Sequence, residues 1–110
     1  MEELRDLVKR NGDVLTVEME QVRDAYGKGR LGVHVRDNMS KALAGLGIGH
    51  YPRPLPDRQW AFVRVYRLGS EIADLIDAVM EPSEEHDEEL RKAGGGGAAD
   101  VLRQIKDIIG

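Results

Sequence analysis

Three prolines within five residues are the feature that most limits how this chain can fold. Pro52, Pro54 and Pro56 lack the backbone N–H that a sheet ladder needs, so no strand can continue through them. Residues 48–51 before them and 60–68 after them have strand-like sequences, and the second run alternates between two faces. The sequence therefore predicts a β-hairpin with a basic loop stiffened by proline.

A helix and a short extended segment are predicted at the start of the chain. Leu4 and Val8 lie on one apolar face of a helix over 2–11, and Gly12 is placed to end it. Residues 14–17 are short and rich in β-branched side chains, which indicates a strand or an extended segment.

Two further helices are predicted before the hairpin. The first covers 19–26, and we expect it to bury Met19, Val22 and Tyr26. The second covers 33–46 and has a single apolar stripe, formed by Val35, Met39, Ala42, Leu43 and Leu46. Four of the five aromatic residues lie between positions 51 and 66, which predicts one compact core centred there.

The chain after the hairpin is predicted to be helical and acidic. Ser70 is a good N-cap for a helix over 71–80, and Ser83 can cap an acidic helix over 84–93. The domain boundaries that follow are a first domain over 1–80, an acidic helical extension over 81–93, a glycine linker over 94–97 and a C-terminal amphipathic helix over 98–110.

Composition excludes several classes of protein. Without cysteine there are no disulfides and no thiolate metal sites, and no segment approaches the about 20 apolar residues of a membrane-spanning helix. We expect a cytoplasmic protein. The net charge of −4 conceals a basic centre, because residues 28–70 carry eight bases and two acids between acidic flanks.

The order helix, short strand, helix, turn, helix, hairpin, helix resembles that of the winged helix-turn-helix family. The resemblance covers residues 2–80 and is one of architecture, without a signature that identifies a subfamily. It implies an α+β fold with three helices, a two- to three-stranded β-hairpin wing and a C-terminal helical extension. The family's usual function is binding duplex DNA, with the recognition helix in the major groove and the wing near the backbone. In this chain the recognition helix would be 33–46.

We expect this chain to be a DNA-binding module, either a transcriptional regulator or an accessory domain of a nucleic-acid system. The side chains expected to contact double-stranded DNA come from the turn, the recognition helix and the wing: Lys28, Arg30, His34, Arg36, Asn38, Ser40, Lys41, Arg53 and Arg58.

Simpler interpretations stand beside these assignments. The polar face that carries Arg36, Asn38 and Lys41 is also what an ordinary solvent-exposed helix face looks like, with no partner. Asp37 on the same face opposes phosphate binding. Arg64 and Arg67 can pair with the acids of 71–89. An alternative function is therefore a protein-interaction module of the same fold, with the acidic and C-terminal helices as its contact surface. Those helices could also form a homodimer.

No catalytic, cofactor or metal site is predicted. His34, His50 and His86 lie on separate predicted elements, and the acidic run 84–89 fixes no coordination geometry. The segment 27–32 superficially resembles a phosphate loop, but it lacks the Gly-Lys-Ser/Thr ending and the preceding buried strand. A turn between two helices explains its glycines better, and we expect no enzymatic activity.

Overall fold

The computed structural model describes residues 1–27 and 30–94. Within them it has the predicted α+β architecture, with five helices and a three-stranded antiparallel sheet. The helices are α1 (Glu2–Arg10), α2 (Met19–Tyr26), α3 (Val33–Gly45), α4 (Glu71–Met80) and α5 (Glu84–Ala93). The strands are β1 (Val14–Glu18), β2 (Ile48–Tyr51) and β3 (Phe62–Arg67). Lys28, most of the predicted glycine linker and the predicted helix over 98–110 lie outside the described residues.

Of the strands that the structure describes, the last in sequence, β3, is the central strand of the sheet, because the strand order is β1-β3-β2. The predicted hairpin is confirmed: β2 and β3 pair antiparallel, with Tyr51 opposite Arg64. Residues 52–61 connect them and are called the hairpin loop below. β1 pairs with the other edge of β3, with Val17 opposite Val63. The early β-branched segment is therefore a strand, and the sheet has three strands.

The core lies between the first three helices and one face of the sheet. Leu4 and Val8 from α1 pack with Met19 and Val22 from α2, as their helical spacing predicts. The remaining buried residues of this core come from α3, the three strands and the hairpin loop: Val17, Met39, Leu43, Ile48, Leu55, Val63 and Val65. Aliphatic and methionine side chains thus form this core.

The expected aromatic core is wrong. Tyr66 is buried, but Trp60 and Phe62 are 64% and 68% exposed. Tyr26, expected inside, is also exposed. On β3 the aliphatic Val63 and Val65 face the core, so that Phe62 and the other side chains of the alternate positions point away from it.

A carboxylate–guanidinium pair joins Asp13, the residue before β1, to Arg67, the last residue of β3. Arg67 donates from Nε to Oδ1 of Asp13 at 2.7 Å and from Nη2 to Oδ2 at 3.1 Å. These hydrogen bonds lower the pKa of Asp13 and raise the pKa of Arg67. Arg67, for which an acid of 71–89 was one expected partner, therefore pairs with a residue at the start of β1.

Both predicted serine caps are confirmed. Ser70 Oγ accepts from Ala73 N at 3.1 Å in the first turn of α4, and Ser83 Oγ accepts from His86 N at 3.0 Å in α5. The pKa of His86 is raised, first because its Nδ1 bonds the carbonyl oxygen of Glu81 and then because carboxylates lie nearby.

The chain divides into two compact units, Met1–Ala73 and Asp74–Gly110. The boundary lies inside α4, seven residues before the predicted domain end at 80. The first unit contains the complete sheet, α1, α2 and α3. In the parts of both units that the structure describes, no helix is long and apolar enough to cross a membrane.

Candidate nucleic-acid interface

Helix α3 presents a continuous polar stripe to solvent. His34, Asp37, Asn38 and Lys41 are all exposed, and their spacing of three and four residues places them on one face. Met39 and Leu43 on the opposite face are completely buried. Four residues of the predicted recognition face are thus available to a partner, and the ammonium group of Lys41 has no hydrogen bond or ion pair with any described residue.

Arg36 is placed differently from the rest of the predicted face. It is half-buried, and its guanidinium donates from Nε to the carbonyl oxygen of Leu31 at 3.0 Å. Its Nη1 donates to the carbonyl oxygen of Leu55 at 2.9 Å. The expectation of an exposed side chain is therefore wrong, because two backbone carbonyls from two loops hold the guanidinium beside α3.

Ser40 is also half-buried and bonded within the protein. Its Oγ lies 2.9 Å from Nε2 of His50, and Nδ1 of the same ring lies 2.8 Å from the carbonyl oxygen of Pro52. This chain of contacts joins α3 to β2 and to the first residue of the hairpin loop. Ser40 and His50 therefore position the hairpin relative to α3, a role that the sequence did not indicate for Ser40.

An open cleft of about 310 Å³ lies beside α2, between the turn that precedes α3 and the end of the hairpin loop. It is called the basic cleft below. Three arginines line it: Arg23 from α2, Arg30 from the turn and Arg58 from the loop. Asp57, Gln59 and Trp60 complete its polar and aromatic lining. Two residues predicted to contact DNA, Arg30 and Arg58, are thus brought together.

The loop wall of the basic cleft is fastened to the start of α2. Met19 N donates to Ala61 O and Glu20 N to Gln59 O, both at 2.9 Å. Arg23 Nη1 donates to Gln59 Oε1 at 3.1 Å. The first two bonds use backbone N–H groups of the first turn of α2, which have no partner within the helix, and all three bonds fix the loop end in place.

The arginines of the basic cleft differ in how far they are neutralised. Arg23 lies 3.8 Å from the carboxylate of Glu20 and 3.6 Å from that of Asp24. The guanidinium groups of Arg30 and Arg58 have no hydrogen bond or ion pair with any residue of the described ranges. Two guanidinium groups in an open cleft can hold an anion, and their rigid fork of donors suits a phosphate.

The other predicted contact residues do not join this cluster. Arg53 is exposed near the start of the hairpin loop, and Lys28 is outside the described residues. The glycines of the turn, Gly27, Gly29 and Gly32, have the spacing Gly-x-Gly-x-x-Gly. Helix α2, and not a strand, precedes them, so the setting of a dinucleotide-binding loop is missing.

Sequence reasoning missed the other five residues that line the basic cleft: Arg23, Leu31, Asp57, Gln59 and Trp60. No sequence motif identifies them, because they come together only when the end of the hairpin loop docks on α2. Within the described residues, no three His, Asp or Glu side chains converge as metal ligands would.

Neither a protein-family model, nor a curated protein, nor a solved structure matches this chain.

Proposed function

We propose that the unit Met1–Ala73 is a winged helix module that binds double-stranded DNA, in a regulator or an accessory domain of a nucleic-acid system. In this proposal α2 and α3 form the helix-turn-helix, α3 is the recognition helix and the hairpin loop is the wing. The strand order β1-β3-β2, with all three helices before the hairpin, supports this architecture.

The exposed stripe of α3 is the observation that carries the functional part of the proposal. Asn38 can form a bidentate pair with adenine, and His34 and Lys41 can donate to base edges or phosphates. All three are exposed and project from one helix that is anchored by Met39 and Leu43. A side-chain set of this kind on a rigid helix can enter a major groove about 12 Å wide.

Arg30 and Arg58 support the same assignment because they can bind the phosphates of the DNA backbone. Arg30 stands two residues before the N-cap of α3, Gly32, which has no side-chain cap of its own. A helix N-terminus favours an anion, so a backbone phosphate near Arg30 gains from both charges. Asp37 lies on the exposed stripe and opposes phosphates there, so only Lys41 of this stripe is assigned to a phosphate, and His34 and Asn38 are assigned to base edges.

The proposal predicts weak, salt-dependent binding to any duplex. With Arg30, Lys41 and Arg58 each neutralising one phosphate, log Kd should change with log salt with a slope of about 3. Binding to random-sequence DNA should have a Kd between about 1 and 100 μM. A specific site would bind more tightly through Asn38 and His34.

A matched pair of lysine variants tests the assignment of α3. Lys41→Ala should weaken binding to a fluorescein-labelled random-sequence duplex, measured by anisotropy, and lower the salt slope by about 1. Lys9→Ala removes the same charge from the exposed surface of α1 and should leave both quantities unchanged. Equal affinity of both variants and the parent would remove α3 from the interface and leave a protein partner as the alternative.

A further inference from the structure

The basic cleft contains an aromatic side chain that duplex binding does not use. Trp60 lines the cleft together with Arg30 and Arg58, and its side chain is 64% exposed. An exposed indole face beside guanidinium groups offers a planar surface on which a ring can stack next to positive charge. Phosphate contacts alone require only the guanidinium groups, so the indole indicates a ligand with a planar apolar part.

The cleft is also built to keep its shape. The bonds from Met19, Glu20 and Arg23 hold the loop end that carries Arg58 and Trp60. Arg36 binds the carbonyl oxygens of Leu31 and Leu55, which lie in the turn beside Arg30 and in the loop before Arg58. These bonds hold the backbone next to Arg30, Arg58 and Trp60 before a ligand arrives, which reduces the entropy that is lost on binding.

We propose that the basic cleft binds a nucleotide with an unpaired base, whose phosphate lies between Arg30 and Arg58 and whose base stacks on Trp60. Guanidinium groups form charge-assisted hydrogen bonds with phosphate oxygens, and an indole offers a face on which any base can stack. The volume of about 310 Å³ is at the lower end of the range for small-molecule pockets and suits one nucleotide.

This inference deepens the proposed function, because Arg30 and Arg58 are also its phosphate contacts. A nucleic acid presents such a nucleotide at a strand end or in a single-stranded segment, and a free mononucleotide has the same chemistry. Asp57 places one carboxylate in the cleft, which disfavours a highly charged ligand such as a triphosphate.

The single tryptophan of the chain gives a direct readout. We would titrate the full chain with adenosine monophosphate, adenosine and inorganic phosphate while recording the fluorescence of Trp60, with calorimetry in parallel. The monophosphate should quench the fluorescence saturably and bind about tenfold or more tightly than either adenosine or phosphate. The same titration with a short single-stranded oligonucleotide carrying a 5′-phosphate separates the two sources, since tighter binding than the mononucleotide identifies a strand as the ligand.

Variants of the cleft residues distinguish binding at this cleft from nonspecific attraction to positive charge elsewhere on the surface. Arg58→Ala should weaken mononucleotide binding about tenfold, whereas Arg10→Ala, an exposed arginine of α1, should leave it unchanged. Trp60→Leu should weaken binding measured by calorimetry roughly 5- to 100-fold. Circular dichroism should show these variants folded, because all three side chains are exposed.

Two results would overturn the inference. One is the absence of saturable quenching and of binding heat with the mononucleotide at millimolar concentration. The other is mononucleotide binding that Trp60→Leu leaves intact, because the base would then not stack on the indole. Lys41→Ala should weaken duplex binding and spare the mononucleotide titration, so failure of the duplex proposal and failure of the nucleotide site are separately visible.

Discussion

Arg36 Nη1 lies 2.9 Å from the carbonyl oxygen of Leu55, so a charged side chain of α3 holds the hairpin loop through its backbone. The same guanidinium holds the carbonyl oxygen of Leu31. Leu55 is itself buried in the core, and the loop is thus anchored by an apolar side chain and by a charge-assisted hydrogen bond. The two loops that carry Arg30 and Arg58 are both tied to α3 in this way.

Replacement of Arg36 should destabilise the fold. In Arg36→Ala two backbone carbonyls lose a charged donor, which should cost about 1 to 3 kcal/mol of unfolding free energy. Arg36→Lys should recover little of this unfolding free energy, because an ammonium group lacks the rigid planar fork of donors of a guanidinium group. Denaturant unfolding measures the loss, and Arg64→Ala, at an exposed position of β3, is the matched control and should change stability by less than about 0.5 kcal/mol. Arg36→Ala with the stability of the parent would show that these two bonds contribute nothing.

Gly49 should not tolerate a side chain. A Cβ at this position would lie 2.7 Å from Cε2 of Tyr66 and 2.9 Å from Cδ2 of Leu68. Gly49→Ala should therefore lower the unfolding free energy by about 1 to 3 kcal/mol. At Gly45, the last residue of α3, a Cβ would have no neighbouring atom within 4 Å, so Gly45→Ala should be neutral or stabilising by up to about 1 kcal/mol. The midpoints of thermal unfolding compare the two, and equal midpoints would contradict the close packing of Tyr66 on β2.

Leu43 tests the burial of α3. The side chain is completely buried among the core residues, and Leu43→Ala should cost about 2 to 5 kcal/mol because it leaves a cavity. Ala44→Gly at the neighbouring exposed position should cost only about 1 kcal/mol, from helix propensity. If the two variants unfolded at the same denaturant concentration, the assignment of the buried face of α3 would be wrong.

The Asp13–Arg67 pair should make stability depend on pH. The pKa of Asp13 is lower in the folded chain, chiefly because of the hydrogen bond from Arg67, so the folded state favours the ionised carboxylate. This stabilisation is complete above the unfolded pKa of about 3.9 and is lost as the pH falls through the lower folded value. Urea midpoints measured between about pH 7 and pH 2 should thus show a gap between the parent and Asp13→Asn that closes at the acid end.

Asparagine is the suitable replacement because residue 13 has a φ of 72°, a conformation that Asn adopts more readily than most residues. A gap that stayed constant down to pH 2 would show that ionisation of the Asp13 carboxyl group does not contribute to the stability of the folded chain.

Periodicity and caps predicted most of the elements of this chain. Ser70 and Ser83 marked helix starts correctly, and Pro52 to Pro56 placed the hairpin loop, because each of these signals acts through the backbone of its own neighbourhood. Whether residues 14–17 were a strand could not be decided, because a single edge strand acquires its partner only in the folded sheet.

The clustering of aromatic residues between positions 51 and 66 predicted the wrong core, although the alternation of β3 indicates a different one. Arg64 shares a face with Phe62 and Tyr66, and a charged side chain in the middle of a face argues that this face is not the core. On the opposite face, Val63 and Val65 pack with aliphatic and methionine side chains from the first three helices. The sequence contained this signal.

The candidate site was only partly predictable. Lys41 and Asn38 are exposed as helical spacing indicates, whereas the anchoring of Arg36 depends on two loop carbonyls that no local pattern specifies. Arg23 and Trp60 are 37 residues apart in the sequence and line the same cleft because the loop end docks on the first turn of α2. Such tertiary contacts cannot be read from residue spacing alone.

The most direct test of the central claim is the affinity of the unaltered chain for a labelled random-sequence duplex at about 50 mM and about 200 mM salt, measured by fluorescence anisotropy. The account predicts micromolar binding at the lower salt and a loss of affinity of roughly 50-fold at the higher, as three neutralised phosphates require. No binding at the lower salt, or an affinity that salt does not change, would contradict the proposal that this chain binds DNA.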